Sequence, residues 1–212
     1  MIIAIDGSAA SGKGTLAKGL AKHFGLSHLD TGTLYRAVGL QLLNAGQSEK
    51  NIEEDQCVKS CQKLDIAMTT SPLIRSEKVA KMASLVAAMP AVRLALLDLQ
   101  RQFAAAPPNP NGAILDGRDI GTVVLPDADI KFFIDADIHT RAERRTKELL
   151  QAGNSVMFED VLTAMQERDG RDSSRSEAPL RPADDAIIID TSDMDIDDLM
   201  AFALSRITAR SG

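Results

Sequence analysis

The chain has 212 residues, 44% of them hydrophobic, which permits one substantial core with small appended subdomains but hardly two large independent domains. Its formal net charge of −6 and 3% aromatic content argue against a nucleic-acid-binding surface. The N-terminus lacks the basic flank and long apolar run of a secretory signal, and no stretch has the apolar length needed to cross a bilayer. We therefore expect a soluble, cytoplasmic protein.

The first half of the chain predicts two short strands, each followed by a helix. The apolar runs are residues 2–5 and 27–29; one helix ends near Phe24 and the next begins near Leu34. A long helical region follows, interrupted at Pro90, and the prolines of residues 104–112 predict a loop. This order is typical of an α/β fold.

The second half returns to the same alternation. Strands are predicted over residues 113–115, 130–134 and 186–189, and helices over 138–150, from 158 onward, and over 196–207. The expected architecture is a sheet of buried parallel strands with helices on its faces.

A glycine-rich segment, DGSAASGKGT at residues 6–15, joins the first strand to the first helix. Gly7, Gly12 and Lys13 match the G-x-x-x-x-G-K part of a phosphate-binding loop, whose backbone N–H groups, helix N-terminus and lysine surround phosphate oxygens. Gly14 stands at the position where Ser or Thr would contact Mg²⁺, and Thr15 follows it. The loop predicts a polyphosphate ligand.

Two further motifs follow predicted strands. Residues 29–36 read LDTGTLYR; Asp30 or Thr31 would cap a helix, whereas Arg36 could project towards an acceptor phosphate. Residues 116–121 read DGRDIG, and ligands of such sheets bind outside the carboxyl ends of the strands. We therefore interpret Arg118 and Asp119 as site residues rather than a surface ion pair.

An arginine-rich segment lies at residues 166–175, with Arg168, Arg171 and Arg175 spaced three and four apart. A solvated charged face is the usual meaning of such a run, and interleaved acidic residues nearly neutralise it. Gly170 and the prolines beyond favour a mobile segment instead. Given the phosphate loop, we interpret it as a lid that brings arginines to a transferring phosphoryl group.

The cysteines and histidines indicate no metal site. Cys57 and Cys61 would share one helix face, as a metal or redox pair or, more simply, as two half-buried thiols, since nothing nearby completes a ligand set. The three histidines match no ligand spacing, and we interpret them as structural or surface residues.

Taken together, the segments at residues 6–15, 29–36, 116–128 and 167–175 resemble the bacterial cytidylate kinases, a family of P-loop nucleoside monophosphate kinases. The ending Gly-Lys-Gly-Thr is itself similar to those kinases, and the match runs from the first strand to the last helix. The resemblance implies a three-layer P-loop fold with a five-stranded parallel sheet. Within this single domain of residues 1–212 it implies a helical acceptor-binding subdomain at 48–105 and a lid at 154–183.

The resemblance also implies the reaction and its residues. ATP with Mg²⁺ would phosphorylate CMP or dCMP. Apart from the resemblance, we expect a monomer that binds neither nucleic acid nor membrane. The implied catalytic residues are Lys13, Arg118, Arg171 and Arg175, with Thr15 contacting Mg²⁺. The ATP phosphates would lie on Gly7, Ser8, Ala9, Ala10, Ser11, Gly12, Lys13, Gly14 and Thr15. The acceptor would be bound by Thr31, Arg36, Ser84, Arg93, Arg118, Asp119, Asp172 and Arg175.

Two departures from the family pattern stand out. Ser8 replaces a usual proline, which we expect to loosen the phosphate loop slightly without removing a contact. The chain around residues 64–79 is too short for the small β insertion of many members, which leaves discrimination between CMP, dCMP and UMP open. The alternatives are another small-molecule kinase, acting on UMP, AMP or shikimate, and a nucleotide-binding switch.

Overall fold

The computed structural model describes residues 1–211, with side chains described up to Ala209. Chain contacts divide it into two compact units, Met1–Leu29 with Ala106–Gly212, and Asp30–Ala105. The second unit begins earlier in the chain than the acceptor-binding subdomain predicted at residues 48–105. The functional limits of that subdomain and of the lid, 154–183, stay predictions.

The first unit is built on a parallel sheet in the order β2-β3-β1-β4-β5. In chain order the strands are β1 Ile2–Gly7, β2 Ser27–Asp30, β3 Ala113–Gly117, β4 Ile130–Asp135 and β5 Ile187–Asp190. β1 pairs in parallel with both β3 and β4, so it is buried in the middle, as its unbroken apolar run predicts. The carboxyl ends of β1 and β3 therefore lie side by side.

Helices cover this sheet. They are α1 Lys13–Phe24, α6 Ile138–Gln151, α7 Phe158–Ser173 and α8 Ile196–Ser211. One core cluster joins apolar side chains of β1, β3 and β4 to one face of α1 and of α8, including Ile5, Leu16, Leu20 and Phe132. Each such side chain contributes about 1.5–3 kcal/mol when fully buried. This core fixes the phosphate-loop segment, which lies between β1 and α1.

The second unit is helical: α2 Thr31–Asn44, α3 Glu54–Gln62, α4 Glu77–Val86 and α5 Pro90–Ala105. Pro90 is the first residue of α5, where a missing N–H costs nothing, so the predicted interruption at this proline is confirmed. Residues 66–70 and 72–75 form two 3₁₀ turns, and the described part of the unit holds no strand after β2. The short segment thus adopts helical turns where a β insertion would lie.

Two helix boundaries differ from the predictions. α2 begins at Thr31 rather than near Leu34, because the Thr33 hydroxyl donates to the Asp30 carbonyl oxygen at 2.6 Å and closes a first turn that lacks apolar residues. α7 continues through Gly170 to Ser173, into the segment that Gly170 and the prolines beyond it predict to be mobile. Ion pairs between side chains on successive turns of α7 offset part of the cost of about 1 kcal/mol that one glycine carries in a helix.

Candidate active site

The phosphate loop has the conformation that its glycines predict. Gly7 has φ 150°, and a Cβ on it would lie 1.9 Å from the carbonyl oxygen of Ile134 on β4, so no larger residue fits. Gly12 has φ 93° and precedes α1 in the left-handed region. Ala10, at φ 59°, is a non-glycine residue in that region, at a cost of about 1–2 kcal/mol. Such strain is typical of functional loops that the surrounding core holds in place.

Hydrogen bonds within the phosphate loop, and one from the loop to the end of β4, stabilise its conformation. The carbonyl oxygen of Ser8 accepts hydrogen bonds from Ser11 Oγ at 3.0 Å and Lys13 Nζ at 3.1 Å. Ser8 Oγ donates to Asp135 Oδ1 at the end of β4 at 2.5 Å, a contact that the usual proline could not make. The expected loosening of the loop stays a prediction, but Ser8 adds a tie to the sheet.

The start of α1 is suited to an anion. Its first turn carries no acidic side chain, and no side chain caps its N-terminal N–H groups. These N–H groups and the partial positive charge of the helix end point into the loop that Lys13 also enters. The arrangement fits a polyphosphate and disfavours a cation.

The residues beside the loop fit Mg²⁺, which keeps several waters and takes one or two protein oxygens plus substrate phosphates. Thr15 is exposed at the start of α1. Asp116, at the carboxyl end of β3, has Oδ2 3.8 Å from where a Cβ on Gly14 would lie. Its Oδ1 lies 2.7 Å from His28 Nε2, so the imidazole orients the carboxylate. A hydroxyl and a carboxylate beside the phosphate loop are hard oxygen donors of the kind that this ion prefers.

A second charged cluster lies beyond β3. Arg118 Nε donates to Asp172 Oδ2 at 3.0 Å, and Arg175 pairs with the other oxygen of the same carboxylate. Arg168 Nε lies 3.9 Å from Asp172 Oδ2. Burial alone would raise the pKa of Asp172, but the three guanidinium charges outweigh it and hold that pKa below its usual value. The cluster unites two segments that sequence analysis placed in separate motifs.

Arg171 and Asp119, two further predicted site residues of the first unit, lie outside the cluster around Asp172. Arg171 projects from α7 beside Glu167, 3.8 Å away, with about a third of its side chain exposed. Asp119 is buried and precedes the helical turn Ile120–Val124, yet its carboxylate does not cap that turn. Both therefore stay candidates on position alone.

Four predicted acceptor residues lie in the second unit. Thr31 and Ser84 are buried, on α2 and α4. Arg36 donates to the carbonyl oxygen of Ile74 at 3.0 Å, which holds its guanidinium against the second 3₁₀ turn. Arg93, in the first turn of α5, donates to the carbonyl oxygen of Ala87 at 3.1 Å. Its guanidinium carbon lies 5.6 Å from the Tyr35 ring centroid, within cation–π range.

Comparison with known proteins decides the family. The family model described as cytidylate kinase matches residues 3–209. A cytidylate kinase of Paramagnetospirillum magneticum is 50% identical over 210 residues, covering 99% of this chain and 98% of the relative. One of Azorhizobium caulinodans is 49% identical, with both chains covered completely. The chain belongs to the cytidylate kinase family. The predicted resemblance is confirmed, and so is the prediction that the protein is a phosphotransferase enzyme.

A solved structure supports the same fold at low sequence identity. An uncharacterized protein from Eubacterium ventriosum superposes with a TM-score of 0.57 at 18% identity, covering 98% of each chain. The expected P-loop α/β fold with a five-stranded parallel sheet is confirmed.

In this member of the cytidylate kinase family, Arg141 and Asp6 hold loops of the site in place. The sequence pattern predicted neither role. Arg141 on α6 is buried; its Nη1 donates to the Ala9 carbonyl oxygen at 3.4 Å and lies 2.7 Å from Asp169 of α7. It thereby links the phosphate loop to the helix that carries the predicted lid arginines. Asp6, the residue before Gly7, caps the Ile120–Val124 turn. The neighbouring sequence predicts neither contact, because each joins residues that are more than 100 positions apart in the chain.

The cysteines lie on one helix of the second unit. Cys57 and Cys61 are free and buried on α3, and burial raises the pKa of both thiols, that of Cys61 to about 11. Within residues 1–211 no group of three or more His, Cys, Asp and Glu side chains is placed to hold a metal ion. In the same range no single helix is long and apolar enough to cross a bilayer; only α4 with α5, which meet at a 99° bend, pass that test together.

Proposed function

We propose that this chain transfers the γ-phosphoryl group of ATP to the α-phosphate of CMP or dCMP, giving ADP and CDP or dCDP. Its membership of the cytidylate kinase family over residues 3–209 supports this reaction. In the structure, a phosphate loop follows β1, and a buried arginine cluster follows the adjacent strand β3. This arrangement is the observation that carries the proposal. One site is suited to a donor polyphosphate and the other to an acceptor phosphate.

On the donor side, the backbone N–H groups of residues 7–15 and the Lys13 ammonium bind the ATP phosphates. Lys13 already rests against the loop at the Ser8 carbonyl, so its charge is held where the phosphates bind. Because these donors are fixed before the substrate arrives, they need no reorganisation as charge shifts onto the leaving ADP.

On the acceptor side, Arg36, Arg118 and Arg175 hold the phosphate of the nucleoside monophosphate. The buried pairing of Arg118 and Arg175 with Asp172 keeps two of these guanidinium groups assembled without substrate. Asp172 in turn accepts hydrogen bonds from the sugar hydroxyls, and Thr31 completes the acceptor site.

Base recognition is assigned to Ser84, Arg93 and Asp119. Cytosine presents an exocyclic amine that donates to a carboxylate, and ring nitrogen and carbonyl acceptors that match a guanidinium. Uracil reverses two of these groups, which would leave buried partners unpaired at a cost of about 1–3 kcal/mol each. Burial of Asp119 and Ser84 supports this role, since unpaired groups cost most where water is excluded.

Catalysis proceeds by positioning and charge neutralisation. An oxygen of the acceptor α-phosphate forms the new bond to the γ-phosphorus as the bond to the β-phosphate oxygen breaks, and ADP leaves with that electron pair. The acceptor oxygen is already anionic, so no general base is required. Lys13, Arg118, Arg171 and Arg175 stabilise the transferring group. Mg²⁺, held through Thr15 with Asp116 orienting its waters, would supply further positive charge to the ATP phosphates.

The proposal places this enzyme in pyrimidine metabolism as a cytoplasmic monomer that acts on free nucleotides rather than on nucleic acid or membranes. The acidic net charge of −6 supports small-molecule substrates over a nucleic-acid backbone.

The test is ADP production by the purified chain from Mg·ATP, with CMP, dCMP, UMP, AMP and shikimate as separate acceptors and a control without acceptor. Turnover with CMP and dCMP and little with UMP supports both the reaction and the base assignment. Equal turnover without acceptor would instead indicate a nucleotide-hydrolysing switch. A preference for another acceptor would overturn the roles given to Ser84, Arg93 and Asp119.

A further inference from the structure

Asp6 is a buried carboxylate at the carboxyl end of β1, directly before the phosphate loop, and only 3% of it is exposed. Its Oδ1 accepts a hydrogen bond from the Ile120 backbone N–H, and its Oδ2 accepts one from that of Gly121, both at 2.7 Å. These donors directly follow Arg118 and Asp119. A single side chain thus connects the strand that ends in the phosphate loop to the segment with two proposed acceptor-binding residues.

The two hydrogen bonds replace a cap that the turn would otherwise take from its own sequence. The N-terminal N–H groups of a helical turn need acceptors, and an Asp at the N-cap position ordinarily supplies one. Asp119 occupies that position before Ile120–Val124, but its carboxylate makes no cap hydrogen bond. Because Asp6 serves both N–H groups, the turn takes its N-terminal cap from the end of β1 rather than from the N-cap residue itself.

Close packing leaves the turn little room to move relative to Asp6. A Cβ placed on Gly121 would lie 3.1 Å from Lys131 Cδ and 3.4 Å from Asp6 Oδ2. β1 and β3 are also in register at this point, with Asp6 opposite Gly117. The position of the Arg118–Asp119 segment is therefore set by the end of β1 as well as by β3.

We propose that Asp6 is a positioning residue for acceptor recognition: by holding the Ile120–Val124 turn, its carboxylate orients Asp119 towards the acceptor base and Arg118 towards the acceptor phosphate. This inference rests on the proposed function. Asp6 contacts neither nucleotide in this scheme. It acts through the turn, so its replacement changes acceptor binding far more than donor binding.

Asp6→Asn tests the idea with little change of shape. The amide keeps one acceptor but turns an N–H₂ group towards a backbone N–H, so one of the two hydrogen bonds is lost and two donors face each other. Loss of a buried hydrogen bond to a charged group corresponds to about a 10- to 100-fold change in an equilibrium constant. At about pH 8, where the Asp6 carboxyl, with its pKa of about 7, is mostly ionised, we expect the KM for CMP to rise by about that factor and the KM for ATP to stay within about twofold.

Base selectivity is the second measurement. If the turn orients Asp119, the ratio of kcat/KM for CMP to that for UMP falls in Asp6→Asn. A residue with a purely structural role would lower thermal stability and active-enzyme concentration without changing that ratio or separating the two KM values.

Asp129→Asn is the matched control. Asp129 Oδ2 also accepts a backbone N–H at 2.7 Å, that of Ile2, but at the opposite end of β1. Its replacement makes the same carboxylate-to-amide change on the same strand, at an exposed hydrogen bond that the amide oxygen can still accept, and should leave both KM values and the base ratio within about twofold of the wild-type values.

Gly121→Ala changes the turn side of the contact between Asp6 and the Ile120–Val124 turn. It tests the inference if Asp6→Asn does not fold. Its methyl group would press on Lys131 and Asp6, displacing the turn by a few tenths of an ångström. The same separation of KM values is expected, with a smaller rise for CMP. Equal changes in both KM values, or an unchanged base ratio in an active variant, would overturn the inference. A wild-type chain that does not phosphorylate CMP would overturn the proposed function itself.

Discussion

Removing the charge of the buried Asp172 side chain is expected to destabilise the fold by several kcal/mol, roughly the cost of breaking a buried ion pair, because its carboxylate neutralises buried arginines. Only 2% of the residue is exposed, and the side chains that it pairs with are largely buried, 14% of Arg118 and 6% of Arg175 being exposed. At these separations an ion pair gains about 4 kcal/mol at an effective dielectric constant of about 20. Desolvation of the ions offsets part of this gain in the intact cluster.

Asp172→Asn keeps the shape of the side chain and removes the negative charge that the buried guanidinium groups of Arg118 and Arg175 share. Loss of one partner of a buried ion pair costs about 3–5 kcal/mol, and we expect the free energy of unfolding to fall by about that amount. Urea unfolding at neutral pH, followed by circular dichroism, measures the loss. Glu148→Gln is the control, since its pair with Arg145 is exposed at 3.3 Å and contributes about 0.5 kcal/mol.

The effect of Asp172→Asn should also depend on pH with a definite sign. Because the pKa of Asp172 is lowered in the folded protein, its ionised form stabilises the fold above the unfolded-state value near 3.8 and loses this contribution as pH falls through the folded-state value. The difference between wild type and variant should therefore shrink in acid. A loss under about 1 kcal/mol at neutral pH, or a loss that does not change with pH, would refute this account of the cluster.

Three further predictions concern other positions of the site. Gly7→Ala should abolish folding or cost more than about 4 kcal/mol by thermal denaturation, because its Cβ would lie 1.9 Å from the Ile134 carbonyl oxygen; a stable variant that binds ATP would contradict this. Asp119→Ala should lower the CMP to UMP ratio of kcat/KM by about 10-fold or more with an unchanged KM for ATP, and an unchanged ratio would remove Asp119 from base recognition. Burial raises the pKa of Asp6 from 3.8 to about 7, so its contribution to stability is present in acid and is lost as pH rises through about 7. Asp6→Asn should therefore gain roughly 2.5 kcal/mol of stability relative to wild type between about pH 5 and pH 8, and a constant difference in urea titrations would contradict the raised pKa.

Short-range features of the chain were predictable because they depend on neighbouring residues. The phosphate loop joins an apolar run to an amphipathic helix within residues 2–24, and Gly7, Gly12 and Lys13 carry its signature. The start of α5 at Pro90 and the strands of the sheet follow in the same way from local pattern. The helix ends that differed from the predictions involve Thr31 and Gly170, where a side-chain hydrogen bond or ion pairs add to weak local helix propensity.

The sequence by itself determined the strand, loop and helix that bind phosphate, and the motifs that place the chain in its family. Only the tertiary structure decided what those motifs touch. Asp6 caps a turn 114 residues away, and Arg118 pairs with Asp172, 54 residues along the chain. Gly7 is obligatory because β4 lies beside β1. The physical reason is that local patterns fix backbone conformation and burial, whereas contacts between distant residues depend on the order and register of strands in the sheet.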